Sequence, residues 1–599
     1  KFLVSLSSLA AAKRFSPLGF RLVFYSLLVS VALLLQHEVE ITWIYAALAL
    51  YFFSRLPGIP TKVSPPLALS AAFCCLYALS IFSAYETSAA AREFLRYGFL
   101  LLIYLDLRDP RGETSTESIF LVCLIIAVLM GVGGIYQVFL SEDPMPLSWA
   151  ATPGVEAQLK RAFGLFDNPN LFGTFLFLCL IPTLYLSLEK GRKILFPVAL
   201  LLLGVLLLTQ SRGAILATGI SFVFLVISCK SRNRIVMILM LIALIGGFFL
   251  SGRSKSLAAE DLGINQRWEL MIGSMKMLKE HWVRGVSPGS FYLTYPYYRT
   301  VGGYYPLHVH NHFLEVFIET GIIGALLLIG FCLSLIYGFF RQEKSLWPLA
   351  FFLGILCNSM TNQAFSFFPQ NLIALAGLLL MTTPSTTTWK SVSNFWLLVF
   401  FPLAFLLFTE FQKSSILSGI ADSKNLRPEA YPAYLRSDLL AVTQITGTVL
   451  NREEPGEEDL RNCLKWLLPM VQRYPFEGEI PFLAYSVYRK LSEDSLAQAM
   501  LLLAMQRDSL SEKYAVSLMN SYLKRELPQE AVKKGEAILL SNPGYRKINP
   551  WYDRIQELLL KAYLAGERYE DIQRLLSAGI WVDEKRGKLV ARQYKELLP

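Results

Sequence analysis

The chain has 599 residues, of which 54% are hydrophobic and only 17% charged, and its mean hydropathy is +0.43. That balance excludes an ordinary soluble enzyme, a fibrous or disordered chain and a small disulfide-built scaffold, and points to a multi-pass membrane protein. Much of the net charge of +10 sits in short links between apolar segments, where membrane orientation accounts for it and nucleic-acid binding is not called for.

Apolar runs of roughly 17–25 residues can cross a bilayer as helices. They fall near 19–36, 40–55, 66–84, 90–106, 118–140, 170–188, 193–210, 213–229, 233–250, 313–340, 345–360, 370–386 and 394–411, which makes about thirteen transmembrane helices. Lys13 and Arg14, with the basic links after even-numbered spans such as Arg55 and Lys62 or Lys190, Arg192 and Lys193, place the N-terminus and those links in the cytoplasm. The outer side then receives the link 37–39, the segment 141–169, the tight turn Gln210–Arg212 and the long loop 251–312. Spans seven and eight, joined by that turn, are expected to lie side by side and antiparallel. An odd thirteenth span sends residues 412–599 to the outer side as well. Seven of the eight cysteines lie in or beside apolar runs and Cys463 stands alone in the tail, so neither a disulfide framework nor a CxxC site is available.

The expected fold is all-α in two parts: a polytopic membrane domain, 1–411, containing the loop 251–312, and a C-terminal helical domain, 412–599. In the tail, EEDLRNCLKWLLPMVQRY, SLAQAMLLLAMQR and QEAVKKGEAILLSNPG repeat apolar positions every three or four residues and read as short amphipathic helices. Hairpins stacked as a solenoid fit this spacing, and SYLKRELPQEAVKKGEAILLSNP and KAYLAGERYEDIQRLL resemble degenerate tetratricopeptide repeats with Tyr522 and Tyr563 at comparable positions.

The polar groups on the outer side follow in chain order. Arg92 and Arg96 begin span four. Arg161 opens RAFGLFDNPNLFG, where Asp167, Asn168 and Asn170 are either ligands for polar groups or a turn and helix start. Arg212 sits in TQSRGAILA at the outer interface, against the positive-inside trend, and Arg267 in NQRWELMIGS. Guanidinium forks facing one hydrophobic compartment suit a diphosphate carried on a lipid. The loop then carries HWVRGVSPGSFYLTYPYYRTVGGYY, in which Trp282, Tyr292 and Tyr295, with Arg284 and Arg299 as further cations, either shape a sugar pocket or anchor and pack the loop.

Three of the five histidines, His308, His310 and His312, end the loop in LHVHNHFLEVFIETGIIG. A metal site is one reading, although strand alternation would point them apart and no cysteine joins them. At the membrane boundary, His310 with a near-neutral imidazole can take a proton from an incoming hydroxyl. Asn311 can cap the following helix or contact substrate, Glu315 and Glu319 can orient the loop, and Gly321 and Gly324 allow close packing or a lipid tail. His310 with Arg161, Arg212 and Arg267 therefore suits transfer from a lipid diphosphate donor; no cofactor or metal is called for. A transporter of anionic lipid or solute, or a noncatalytic scaffold, uses the same cations without chemistry.

In their order, RAFGLFDNPNLFG, TQSRGAILA, HWVRGVSPGSFYLTY and HVHNHFLEVFIETGIIG resemble the recurrent segments of the bacterial O-antigen ligase and polymerase superfamily, which includes protein O-oligosaccharyltransferases. The resemblance covers about 17–411. It implies an undecaprenyl-diphosphate-linked glycan donor, an active site at the outer face of the inner membrane, and an inverting, metal-independent transfer in which Arg212, Arg267 and His310 are essential. The acceptor would be lipid A-core for a ligase, a second lipid-linked glycan for a polymerase, or a Ser or Thr side chain for a protein transferase, with the ligase reading retained. The tail departs from a membrane-only ligase and can recruit a protein acceptor or a periplasmic partner.

Overall fold

The computed structural model describes residues 59–60, 62–108, 116–141, 160–166, 168–228, 231–250, 262–301, 305–342, 345–363, 365, 367–382, 389–390, 439–541, 549–578 and 581–598, together with scattered positions between 24 and 52. The membrane part comprises α1 (Pro65–Ser80), α2 (Thr87–Arg108), α3 (Thr116–Phe139), α4 (Pro169–Leu184), α5 (Phe196–Thr209), α6 (Arg212–Ser228) and α7 (Ser231–Leu250). The loop region holds α8 (Leu262–His281) and α9 (Phe291–Tyr298), and α10 (His312–Gln342), α11 (Trp347–Thr361) and α12 (Phe368–Met381) follow. Helices stand at ten of the thirteen expected positions, and among the described residues five, 65–83, 116–139, 169–189, 233–250 and 312–341, are long and apolar enough to cross a membrane. The first two spans are described only in part, and the thirteenth, 394–411, lies outside the described residues. The single departure from an all-α fold among the described residues is a two-residue antiparallel pairing of Ile59–Pro60 with Trp389–Lys390.

Helix starts are written locally. Proline stands in the first turn of α1, α4, α5, α11 and α12, where its missing N–H has no intrahelical partner to lose. Asn168 caps α4 by accepting from the Asn170 N–H. The α5 helix stops at Gln210, which turns left-handed at φ 52°, and α6 restarts two residues later. The α4 helix is the hub: 94% of its apolar window is buried, against α3, α5, α6 and α12. By contrast only 17% of the windows in α1, α7 and α10 is buried, so Leu79, Ile242, Phe249, Leu326 and Leu333 face outward. An apolar surface of that extent is stable against lipid, not water. Although joined by a tight turn, α5 and α6 diverge: α5 packs chiefly on α4 and α3, α6 on α11 and α7, which corrects the expectation of a side-by-side pair.

The α10 helix is broken at Gly321 (φ 66°, ψ −164°). Chain 282–287 lies against the break, with the Ile322 N–H donating to the Trp282 carbonyl and the Val286 and Ser287 N–H groups to the Ile318 and Glu319 carbonyls. A Cβ on Gly285 would stand 2.3 Å from the Glu319 oxygen, and one on Gly321 2.2 Å from the Val283 oxygen. The membrane-length part is thus residues 322–342, about 31 Å of helix at 1.5 Å per residue. The expected span 313–340 is corrected at its start: 312–320 is a separate short arm.

The described tail comprises α13 (Leu439–Leu450), α14 (Glu457–Arg473), α15 (Glu479–Lys490), α16 (Asp494–Arg507), α17 (Glu512–Lys524), α18 (Pro528–Ser541), α19 (Trp551–Ala565), α20 (Tyr569–Ala578) and α21 (Glu584–Lys595); α13 to α20 each pack on their sequence neighbours and α21 packs on α19. One turn geometry recurs three times. Tyr488, Tyr522 and Tyr563 each accept at the carbonyl from the N–H five residues on, at 2.9, 2.9 and 2.8 Å, and Ser492, Glu526 and Glu567 between them are left-handed. Tyr522 follows Tyr488 by 34 residues and Tyr563 follows Tyr522 by 41, so the turn recurs without one fixed period.

This tail docks on the same end of the bundle as the loop. Glu86, in the α1–α2 turn, accepts from the Leu439 N–H and the Tyr474 hydroxyl. Arg473 donates to the Tyr85 carbonyl and the Thr87 hydroxyl. Arg299 holds Asp508 with two hydrogen bonds of 2.8 and 3.1 Å while its guanidinium lies 4.3 Å from the centre of the Tyr305 ring.

Candidate active site

Arg161 is held by its own surroundings, donating to the Thr209 carbonyl at 2.8 Å and the Asn170 side chain at 3.1 Å. That ties the segment before α4 to the end of α5. Gly173 brings α4 against the α5–α6 turn, since a Cβ there would stand 2.7 Å from the Ser211 Cβ. Arg212 is the first residue of α6, where a cation opposes the helix dipole and the unsatisfied N–H groups favour an anion. Beside it, a Cβ on Gly213 would be 2.7 Å from the Thr361 hydroxyl at the end of α11. The Thr361 carbonyl accepts from Arg267 at 3.5 Å. The three arginines named from the sequence are therefore linked through one end of the bundle, built from the starts of α4 and α6 and the end of α11.

His310 reaches this end from the loop. It is a non-glycine residue in the left-handed region, φ 58°, a conformation that persists only where surrounding structure imposes it. Burial, and then the positive fields of Arg267 and His308, lower its pKa to about 4, which leaves the imidazole neutral at neutral pH. His308 has the opposite character. Burial opposes its charge, but the Glu315 carboxylate, which accepts from Nδ1 at 2.8 Å, raises its pKa. Glu315 also accepts from the Val309 N–H, so it clamps the loop on both sides of that residue. His312 Nε2 lies 3.4 Å from the Tyr97 hydroxyl, which receives Arg96, itself paired with Glu93. The histidines thus have three different environments, not three arms of a strand.

Other expected substrate contacts fall elsewhere. Asn311 caps α10, accepting from the Leu314 N–H at 3.1 Å. Trp282 and Arg284 are exposed on the chain that crosses the Gly321 break, roughly 14 Å along the short arm from His312; the structure does not bring them to the arginines. Tyr295 is only 2% exposed and packs on Phe291 and Gly273, and Tyr292 packs on the tail core. Both reach toward the tail. Arg299 is a docking residue, and Asp167 lies outside the described residues.

Two polar groups at the arginine end were not singled out from sequence. Asn358 is fully buried and accepts from the Thr174 hydroxyl, but among the described residues its Nδ2 has no hydrogen-bond partner, and Ser211 Oγ is likewise buried without one. Unused buried donors are costly unless something accepts from them. A lone Asn inside an apolar run, CNSM, was the available signal. The Glu93, Arg96 and Tyr97 cluster under His312 was visible only as charge near the start of a span.

A helical bundle with a lipid-facing apolar belt and one cation-rich polar end is an all-α, multi-pass membrane protein. Residues 197–329, from α5 into α10, match the family described as O-antigen ligase. The matched segment contains Arg212, Arg267 and His310; Arg161 and the tail lie outside it. A search of curated proteins found no match. That match supports a role in glycan transfer in O-antigen or polysaccharide biosynthesis.

Proposed function

We propose that the protein transfers a glycan from an undecaprenyl-diphosphate donor to an acceptor hydroxyl at the outer face of the inner membrane, as an O-antigen ligase acting on lipid A-core. The observation that carries this reading is the placement of Arg267: it touches Thr361 beside the start of α6 and its charge acts on His310. Anion binding and proton acceptance are thereby coupled. Arg161, Arg212 and Arg267, with the α6 N-terminus and the buried donors of Asn358 and Ser211, hold the diphosphate. The acceptor oxygen attacks the anomeric carbon from the face opposite the diphosphate, so the configuration inverts. The glycosyl carbon–oxygen bond breaks, its electron pair leaves on undecaprenyl diphosphate, and the acceptor proton passes to the His310 imidazole. No metal is required where guanidinium groups neutralise the leaving group.

A pKa of about 4 makes His310 a weak base in the empty site. A bound diphosphate sets its negative charge against the cations that depress that value, so donor binding strengthens the base. The membrane domain is residues 1–411 with a cytoplasmic N-terminus; the loop 251–312 and the tetratricopeptide-like domain 412–599 are periplasmic. This orientation is supported by the basic even-numbered links and by the contacts between tail and loop.

The test is purified protein with a defined undecaprenyl-diphosphate glycan and lipid A-core. Parent protein should form a new glycosidic bond, while His310→Ala lowers turnover by about 10²–10⁴-fold and Arg212→Ala by about 10²–10³-fold. Near-parent turnover in both variants at matched membrane abundance rules out these roles. Donor carried unchanged between leaflets identifies a transporter instead.

A further inference from the structure

The loop and the tail enclose a cavity of about 480 Å³, within the roughly 300–1,000 Å³ of small-molecule sites and large enough for about two or three sugar rings. Among the described residues that line it, Glu477, Glu479 and Asp508 are carboxylates and none is Lys or Arg. The Tyr292, Tyr305 and Tyr514 side chains supply flat surfaces on both the loop and tail walls. The Tyr514 ring is fixed by stacking on Phe482 at 4.7 Å and by donating to Glu479. Tyr305 is fixed by its hydrogen bonds to Arg299 and Asp508.

This lining selects its ligand. Arg299 and Lys513 pair with Asp508 and Glu479 from outside the lining, so the described walls present hydrogen-bond acceptors but no Lys or Arg to a phosphate, uronate or sulfate. Glu477 and Glu479 can accept from hydroxyls, each retaining acceptor positions beyond the two occupied by protein donors, whereas Asp508 is taken up by Arg299, Tyr305 and the Leu510 N–H. Fixed tyrosine faces match the C–H faces of sugar rings. Among the described residues the walls are helices and loop, with no strand edge on which a peptide could pair. The cavity also adjoins the chemistry: Leu307 lines it, and His310 follows three residues later, at most about 10 Å of extended chain.

We propose that this cleft is a neutral-oligosaccharide subsite, holding sugars a ring or two from the reacting centre, and that the tail's role is to complete it. The proposal rests on the glycan-transfer reading for its purpose but not for its binding test. The shared chemistry is an uncharged sugar segment, which can belong to the donor's glycan or to the acceptor's.

Full-length protein in lipid nanodiscs, with no donor lipid, is titrated by saturation-transfer NMR with a neutral linear trisaccharide, a hexuronate trisaccharide and a Ser/Thr-containing peptide. The neutral trisaccharide should bind, Thr443→Trp should abolish binding by filling the cavity, and Glu477→Gln, which preserves shape, should weaken it about threefold to tenfold. Equal binding of the hexuronate, peptide binding that Thr443→Trp removes, or trisaccharide binding untouched by both variants overturns the assignment. Turnover then separates the sources, using donors of one and three sugars against a fixed acceptor, and acceptors of two lengths against a fixed donor. Parent protein should prefer the longer molecule in one arm, and Thr443→Trp should erase that preference while sparing the short one. A preference that survives in Thr443→Trp overturns the subsite. No transfer by the parent protein refutes the transfer reading, and the NMR result still decides the cleft.

Discussion

His308 and His310 stand two residues apart and are pushed to opposite protonation states, the first by the Glu315 carboxylate and the second by burial beside Arg267 and His308. Pairs separated in this way mark a division of roles: here a His308 whose charged form Glu315 favours and which ties the loop to α10, and a neutral His310 imidazole that can accept a proton. The acid limb of kcat/KM, which reports the free enzyme, should therefore fall near pH 4 and not near 6.5. A limb at 6.5 with full activity retained in His308→Ala would remove His310 as the base. The stability terms have opposite signs. His310 binds fewer protons folded than unfolded between about pH 4 and 6.5, so its contribution is lost as pH falls through that window. His308, with a raised value, contributes below 6.5 and loses that contribution as pH rises through its folded pKa.

At the scale of elements, the device that presents the histidines is the break in α10. Residues 312–320 form an arm whose carboxylates hold the loop, Glu315 at Val309 and Glu319 at the Phe291 N–H, while 322–342 crosses the membrane. The break exists because chain 282–287 supplies partners to backbone groups that a continuous helix would have used. Gly285 and Gly321 are both left-handed and closer to neighbouring backbone than any Cβ permits. Gly285→Ala and Gly321→Ala should each cost at least about 1–3 kcal/mol, read as a lower thermal midpoint in detergent together with lost turnover. Parent-like midpoints in both would mean that the two backbones are not in register as described.

The molecule as a whole joins a membrane bundle to a C-terminal helical array through a small set of buried polar contacts. Arg299 and Asp508 expose only 1% and 3% of their side chains. Removing one member leaves the other charge buried and uncompensated, a loss of about 3–5 kcal/mol. Arg299→Ala and Asp508→Ala should each loosen docking, seen as faster amide exchange in 305–310 and 474–480, while the double variant costs less than the sum. Additive effects, or unchanged exchange, would show that docking rests on other contacts. Because the same docking closes the cleft lined by Glu477 and Tyr514, it links the state of the tail to the loop that carries His310.

The apolar runs, the proline-marked helix starts, the tight turn at Arg212 and the Asn311 cap were readable from sequence because each depends on residues within a turn or a span of one another. So was the assembly of Arg161, Arg212 and Arg267 at one end, since span parity alone determines on which side a residue emerges. Parity does not determine distance. The pairing of Arg299 with Asp508 across 209 residues, of Glu86 with Tyr474 across 388, and of Gly285 with the Gly321 break are matches between distant surfaces. They moved Tyr292 and Tyr295 toward the tail and left Trp282 and Arg284 on the exterior. Tertiary structure alone decided these points, because an aromatic or an arginine has the same local signature whether it meets a ligand, a lipid or another part of its own chain.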